Sequence, residues 1–387
     1  MVDKKLFFLT ATLIIIGVLF SYSLSVYTVL IYDYSKMHFF LRSFVIGSVS
    51  ISIMWFISRF DPKKFIHPFG FSLFIIFFFL MFFMHFLPSS LVTEAGGAKR
   101  WIRLPFFSLS PVEFFKIGFV FFLAWSFSRK IHDTNLTLKE EGMRFLPYLL
   151  IFVVIVFLIS IMQNDLGQVV LLGSTLGVMA IFAGGSFRFF LILMLIALFM
   201  VTILIFNAEY RVDRILQWWA NAQTFILSFF PDFIADRLRV ANTSEPYQIG
   251  HSLNAIHNGG FFGQFFGNGD FKYGFLTEIH TDFILAGIAE ELGFVGVFGI
   301  CMILLLILHR ILKIANRVAD RVHYLFCVGV SLLIALSFII NAFGISGLIP
   351  IKGIAVPFLS YGGSSILALS IAMGMILSIS KLAHEPT

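Results

Sequence analysis

The sequence predicts an all-α integral membrane protein of about ten transmembrane helices, with one large extracytoplasmic loop between the seventh and the eighth. Three observations carry this. Of 387 residues, 59% are hydrophobic and 12% charged, whereas about a quarter of an ordinary soluble domain is charged. Apolar runs near the ~20 residues that cross a bilayer as helix recur from end to end. No polar stretch is long enough for a soluble domain, so residues 1–387 read as a single polytopic membrane domain.

The first run, "LFFLTATLIIIGVLFSYSL", follows "MVDKK". It is long for a signal peptide and has no clear small-residue cleavage pattern, so it reads as a retained helix over about 6 to 27. Further spans are expected at about 40 to 58, 65 to 87, 112 to 128, 146 to 163, 166 to 185, 187 to 206, 282 to 309, 322 to 345 and 364 to 380. Lys and Arg crowd "MVDKK", "SRFDPKK", "SRKIHDTNLTLKEEGMR", "GSFR", "HRILKIANRVADR" and the tail, which puts both termini on the cytoplasmic side. Residues 207–281 form the large outer loop. In it, "YRVDRILQWWANAQTFI" suits an interfacial helix, and "NGGFFGQFFGNGD" is glycine-rich. Cys301 and Cys327 lie in apolar runs, against a disulfide framework or thiolate metal site. No Walker loop or dinucleotide fingerprint occurs, so no nucleotide cofactor is expected; nor is a nucleic-acid partner.

The polar clusters fall at the outer ends of the spans: "GGAKRWIR", "SPVEFFK", "QNDLG", "EIHTD" and "IKGIAVPFLSYGGSS". Such convergence points to one site at the outer leaflet. Each cluster also has a structural reading. Thr281 and Asp282 suit the N-cap of span eight, a role compatible with Asp282 as a general base. Glu290 and Glu291 lie about 12 to 14 Å further along at 1.5 Å per residue, too deep to share a proton with Asp282; at least one is expected to be a structural strut paired with a basic residue. Glu113 and Lys116 share a helical face at i, i+3 and form an ion pair. Lys99 and Arg100 flank an interfacial Trp101, yet two cations on this side invite a phosphate. Asp165 can cap a tight hairpin, and Ser364 or Ser365 can cap the last span. His280 beside Asp282 is the one histidine pairing suited to metal or proton chemistry, and no strong metal spacing such as HExxH is present.

Taken in order, "GAKRWI", "PVEFFK", "QNDLG", "YQIGHSLNAIHNGG", "HTDFILAGIAEELGF" and "PFLSYGGSS" resemble the SEDS family (RodA, FtsW and SpoVE), membrane glycosyltransferases that polymerise peptidoglycan. The division branch is the more similar one, with the elongation branch as the alternative. Two motifs depart while keeping their acids, "QNDLG" and "PVE", and Phe265 stands where the family's glycine run has a glycine. The resemblance implies lipid II, an undecaprenyl-pyrophosphate-linked disaccharide pentapeptide, as substrate, with Asp282 matching the essential aspartate. It also implies a class B penicillin-binding protein and other division or elongation proteins as partners, in the bacterial inner membrane among its lipids.

A pyrophosphate leaves readily, so a second carboxylate as general acid is dispensable. A base and positive charge suffice. Asp282 supplies the first; Lys99, Arg100 and Lys352, or a divalent cation such as Mg²⁺ or Mn²⁺, supply the second. Glu113, Lys116, Asp165, His280, Thr281, Ser360 and Ser364 complete the expected substrate contacts. Two rivals remain: a lipid II transporter, whose polar path would include Glu113, Lys116, Glu290 and Glu291, and a non-catalytic division scaffold.

Overall fold

The computed structural model describes residues 2–35, 37–95, 98–104, 108–130, 138–228, 230–240, 247–277, 279–350 and 353–384. In chain order the helices α1 (Lys4–Leu24), α2 (Val26–Ile31), α3 (His38–Ile57) and α4 (Pro62–Phe83) come first. A three-stranded sheet follows, of β1 (Val92–Ala95), β2 (Ala98–Arg103) and β3 (Ser108–Leu109). Next are α5 (Pro111–Lys130), α6 (Leu138–Val156), continued by a π-helical turn to Met162, α7 (Leu166–Phe182) and α8 (Phe187–Phe206). The chain ends with α9 (Glu209–Leu227), α10 (Asp232–Leu238), α11 (Tyr247–Gly259), α12 (Ile284–Ala315), α13 (Arg321–Ile345) and α14 (Gly363–Ile379).

A helix stands at each of the ten expected spans. Seven are long and apolar enough to cross a bilayer. α7 and α14 are shorter, and α8 joins α9 through a bend of 107°. Arg211 fastens that bend by donating to the carbonyls of Leu204 and Ser160 at 2.7 and 2.9 Å. α9 thus runs across the end of the bundle, as an interfacial helix would. The sheet is an addition to the expected all-helical fold. It is antiparallel, in the order β1-β2-β3, and lies over the N-terminus of α5.

Aspartates start several helices by accepting backbone N–H bonds: Asp3 from Leu6, Asp61 from Lys63, Asp165 from Gln168 and Asp320 from Val322 and His323. α5 is the bundle's axis, packed against α4, α13 and α14. Gly118 lets α4 approach it closely: a Cβ there would sit 2.2 Å from the Phe74 nitrogen. Small residues permit such contact where no hydrophobic force separates helix from lipid.

Sequence reading treats span eight as continuous, but α12 is broken at Gly293, whose φ of 67° and ψ of −164° leave the helix. In apolar surroundings the freed backbone groups must find partners. The glycine-rich loop supplies them. Phe294 and Val295 donate to the carbonyls of Gly260 and Phe261, and Gln264 donates to the carbonyl of Glu290. The contact requires glycines: a Cβ on Gly263, itself at φ +80°, would lie 2.3 Å from the Glu291 carbonyl oxygen. Phe265 holds φ 68° in the same loop, a left-handed conformation that costs a side-chain-bearing residue about 1–2 kcal/mol. A glycine at this position, as the resemblance leads one to expect, would avoid that cost.

Both acids before the break are fully buried, and both face the loop. Glu290 accepts from the Asp270 backbone at 2.7 Å and from Asn258 Nδ2 at 3.0 Å. Glu291 accepts from Lys272 Nζ at 2.8 Å, from the Gly267 backbone at 3.0 Å and from Ser23 Oγ of α1. The expected strut therefore exists, with Lys272 as its cation.

Removing one partner of a buried ion pair strands the other charge. Lys272→Met is expected to destabilise the protein by about 3–5 kcal/mol. Lys272→Met combined with Glu291→Leu should cost less than Lys272→Met alone, measured by thermal unfolding in detergent.

Candidate active site

Several of the polar clusters converge on one cavity of ≈ 590 Å³ at the sheet end of the bundle. α3 contributes His38, Phe39 and Arg42, and β2 contributes Arg100 and Trp101. The start of α5 adds Glu113, the hairpin before α7 adds Gln163 and Asp165, and α7 adds Gln168. Thr281 and Asp282 come from the approach to α12, Gly353 and Ala355 from the α13–α14 connection, and Tyr361 to Ser365 from the start of α14.

Asp282 is fixed from three sides. Asn341 of α13 donates from Nδ2 to the Asp282 carbonyl at 2.7 Å and to that of Ile354 at 2.8 Å. Gly353 meets the carboxylate closely enough that a Cβ would fall 2.8 Å from Oδ2. Ser360 Oγ donates to the Thr281 carbonyl at 2.7 Å and accepts from the Val356 backbone at 2.8 Å. Neither Thr281 nor Asp282 is the helix cap: that position falls to Phe283, without a side-chain bond. The half-buried Asp282 carboxylate lines the cavity instead.

The opposite wall carries Glu113, Asp165 and Arg100. Glu113 pairs with Lys116 at 2.9 Å and accepts from Gln168 Nε2 at 3.3 Å. Lys116 is buried behind Glu113 and does not line the cavity. Arg100 faces the cavity while donating to the carbonyls of Gln163 and Asn164, both at 2.8 Å. Asp165 caps α7 as expected; withdrawal from solvent raises its carboxyl above the ordinary range, with Arg100 pulling it down. Ser364 lines the cavity and braces it, accepting from the Ser110 backbone at 2.8 Å and donating to the Ser108 carbonyl at 3.0 Å. It does not cap α14, whose N-cap is Gly362 without a side-chain bond.

Besides Lys116, three expected contacts lie elsewhere. Lys99 does not line the cavity and donates instead to the carbonyls of His85 and Leu87 at 3.1 and 2.8 Å. Ser360 is buried in its brace and does not reach the cavity. The His280 ring packs against those of Phe39 and Tyr361 and does not line the cavity. Burial lowers its pKa to about 4, so it is neutral at neutral pH and unsuited to shuttle a proton there. Lys352 lies outside the described residues.

Arg42 takes the place that sequence reading gave to Lys99. It is exposed on the cavity wall, which Tyr361 also lines. The signal was present, an arginine inside the apolar run "HFFLRSFVIG", since a charge within a span marks function by default. As for a divalent cation, the cavity's acids do not converge, among the described residues, into a group of three able to hold an ion. The pocket does not by itself form a cage for one.

Comparison with known proteins agrees with this architecture. The sequence profile of the FtsW, RodA and SpoVE family, described as "Cell cycle protein", matches residues 4–385. A probable peptidoglycan glycosyltransferase FtsW of Helicobacter pylori is 50% identical over 382 residues, covering 98% of each chain. Stage V sporulation protein E of Bacillus subtilis is 33% identical over 383 residues, covering 99% of this chain and 98% of the other. Two solved structures share the fold. One comes from work on a peptidoglycan synthase complex, with a TM-score of 0.74 and 21% identity over 100% of this chain and 99% of that one. The other is the rod shape determining protein RodA of Thermus thermophilus, with a TM-score of 0.67 and 20% identity over 100% of this chain and 98% of that one. The chain belongs to the FtsW, RodA and SpoVE family of multi-pass membrane proteins.

Proposed function

We propose that this protein is a peptidoglycan glycosyltransferase of the FtsW type that polymerises lipid II in cell division, with Asp282 as general base. One observation carries the assignment of roles: an aspartate held by Asn341 and beside Gly353 lines the same cavity as two arginines from distant elements. The relatives' names supply the reaction class.

In the reaction, Asp282 accepts the proton of the acceptor sugar hydroxyl as its oxygen attacks the anomeric carbon of the donor. The bond from that carbon to the pyrophosphate oxygen breaks, and the electron pair leaves with the polyprenyl pyrophosphate. Arg42 and Arg100 offset the developing charge. Arg100 is pre-organised by its two carbonyl contacts, and Arg42 reaches the same cavity from α3. A Mg²⁺ or Mn²⁺ bound mainly through substrate phosphates would add positive charge; none of these residue roles requires it.

In this reading the cavity end is extracytoplasmic, residues 207–281 belong to the outer loop, both termini are cytoplasmic, and the whole chain is one domain in the bacterial inner membrane. A class B penicillin-binding transpeptidase is the partner that would crosslink the product, within the division machinery. Transport is the weaker reading. Glu113 and Lys116 border only a small void, of ≈ 10 Å³, whose other lining residues are apolar apart from Ser337 and Ser365, and α5 continues past them with the buried apolar Phe119, Val120 and Phe121, which does not favour a polar path along that helix.

Asp282→Asn, purified with the partner, is expected to abolish polymerisation of lipid II while retaining its fold and partner. Wild-type rates from that variant would refute the base assignment. Arg42→Ala should lower turnover on the order of 10²-fold, the loss typical of a donor to developing negative charge. Lys99→Met should instead lower thermal stability and leave turnover close to wild type; the reverse pattern would restore Lys99 as the substrate contact.

A further inference from the structure

Three ligand-type side chains meet at the end of the bundle opposite the cavity. His67 comes from α4, Asp320 caps α13, and His323 lies one turn into α13. One ligand atom from each stands within 4.8 Å of the other two. His323 Nδ1 is 3.9 Å from Asp320 Oδ2, and the two imidazole rings are 6.0 Å apart between centroids.

His323 is the telling member. It is 2% exposed, and neither ring nitrogen has a hydrogen-bond partner. Leaving a buried polar atom unsatisfied is unfavourable, and native proteins rarely do so without a reason. Asp320 divides its work: Oδ1 caps the helix by accepting from the Val322 and His323 backbones at 2.7 and 3.2 Å, while Oδ2 faces the imidazole. His67 is half-buried and lies across from them on a separate helix.

Two imidazoles and a carboxylate form a donor set for zinc and its first-row neighbours, not for Mg²⁺ or Ca²⁺, which prefer all-oxygen shells. Ligand bonds of about 2.0–2.2 Å require the three groups to draw together, and His67, half-exposed and on the facing helix, is placed to move.

We propose that His67, Asp320 and His323 bind one divalent transition-metal ion, Zn²⁺ or a close neighbour, clamping the start of α4 to the start of α13. The site is independent of the catalytic cavity. Residue 323 and Asn341, which holds the Asp282 carbonyl, are about 27 Å apart along α13 at 1.5 Å per residue. Three protein ligands leave a coordination position for water, as in exposed zinc sites.

The test uses full-length protein purified in detergent without a polyhistidine tag and stripped with a chelator. Titration with Co²⁺, followed by its visible absorption bands, is expected to saturate at one ion per chain, to be reversed by Zn²⁺, and to raise the melting temperature. His67→Gln removes a half-exposed ligand and should fold. It should weaken Co²⁺ binding by more than about tenfold, since loss of even an outer-shell partner costs 10–100-fold, and it should erase the thermal shift. Asp320→Asn, which keeps the capping oxygen, should also weaken binding. Absence of saturable binding to wild type, or an unchanged spectrum and affinity in His67→Gln, overturns the proposal.

Discussion

The cavity end of this protein depends on a helix that breaks where it should not be able to. At Gly293 the α12 backbone leaves the helical conformation within an apolar bundle, and hydrocarbon offers nothing to the freed amides. The glycine-rich loop folds back and replaces the missing bonds. Glu290 and Glu291 then bind that loop from the side, and Lys272 and Ser23 extend the network to α1. The break thereby becomes a junction between an apolar helix and the glycine-rich loop.

That junction explains the division of labour among the acids. The segment of α12 before the break is buried on every side, which fixes its start, and Asp282 lies at that start. Asn341 and Gly353 then set the carboxylate against the cavity. Charges that the fold consumes, such as Lys99, Lys116, Lys272 and Glu291, sit in contacts that leave them little freedom. Those facing the cavity, Asp282 and Arg42, keep solvent access. A lipid pyrophosphate needs cations that are already oriented and still accessible.

The ten apolar helices were legible because a run of about 20 apolar residues is a strong local signal. That Asp282 and Glu291 occupy separate places follows from their spacing along one stretch of chain. Other features depended on long-range geometry. Gly293 reads as an ordinary packing glycine in an apolar run until the loop at 260–264 is placed against it. The strands at 92–109 are too short to show alternation, so the sheet was missed, and with it the contacts of Lys99. Arg42 was hidden inside a predicted span, where it was not weighed as a ligand. His67 and His323 are 256 residues apart in the numbering, beyond the reach of any local metal spacing.

In the proposed reaction lipid II binds with its pyrophosphate in the cavity between Asp282, Arg42 and Arg100. The most direct measurement is photocrosslinking of the purified protein with a lipid II analogue carrying a diazirine next to the pyrophosphate, followed by mass-spectrometric mapping. Adducts are expected on cavity residues of α3, β2 and the start of α14, suppressed by unlabelled lipid II. Competable adducts confined to the opposite end of the bundle, or to the lipid-facing surface of α8, would contradict this placement.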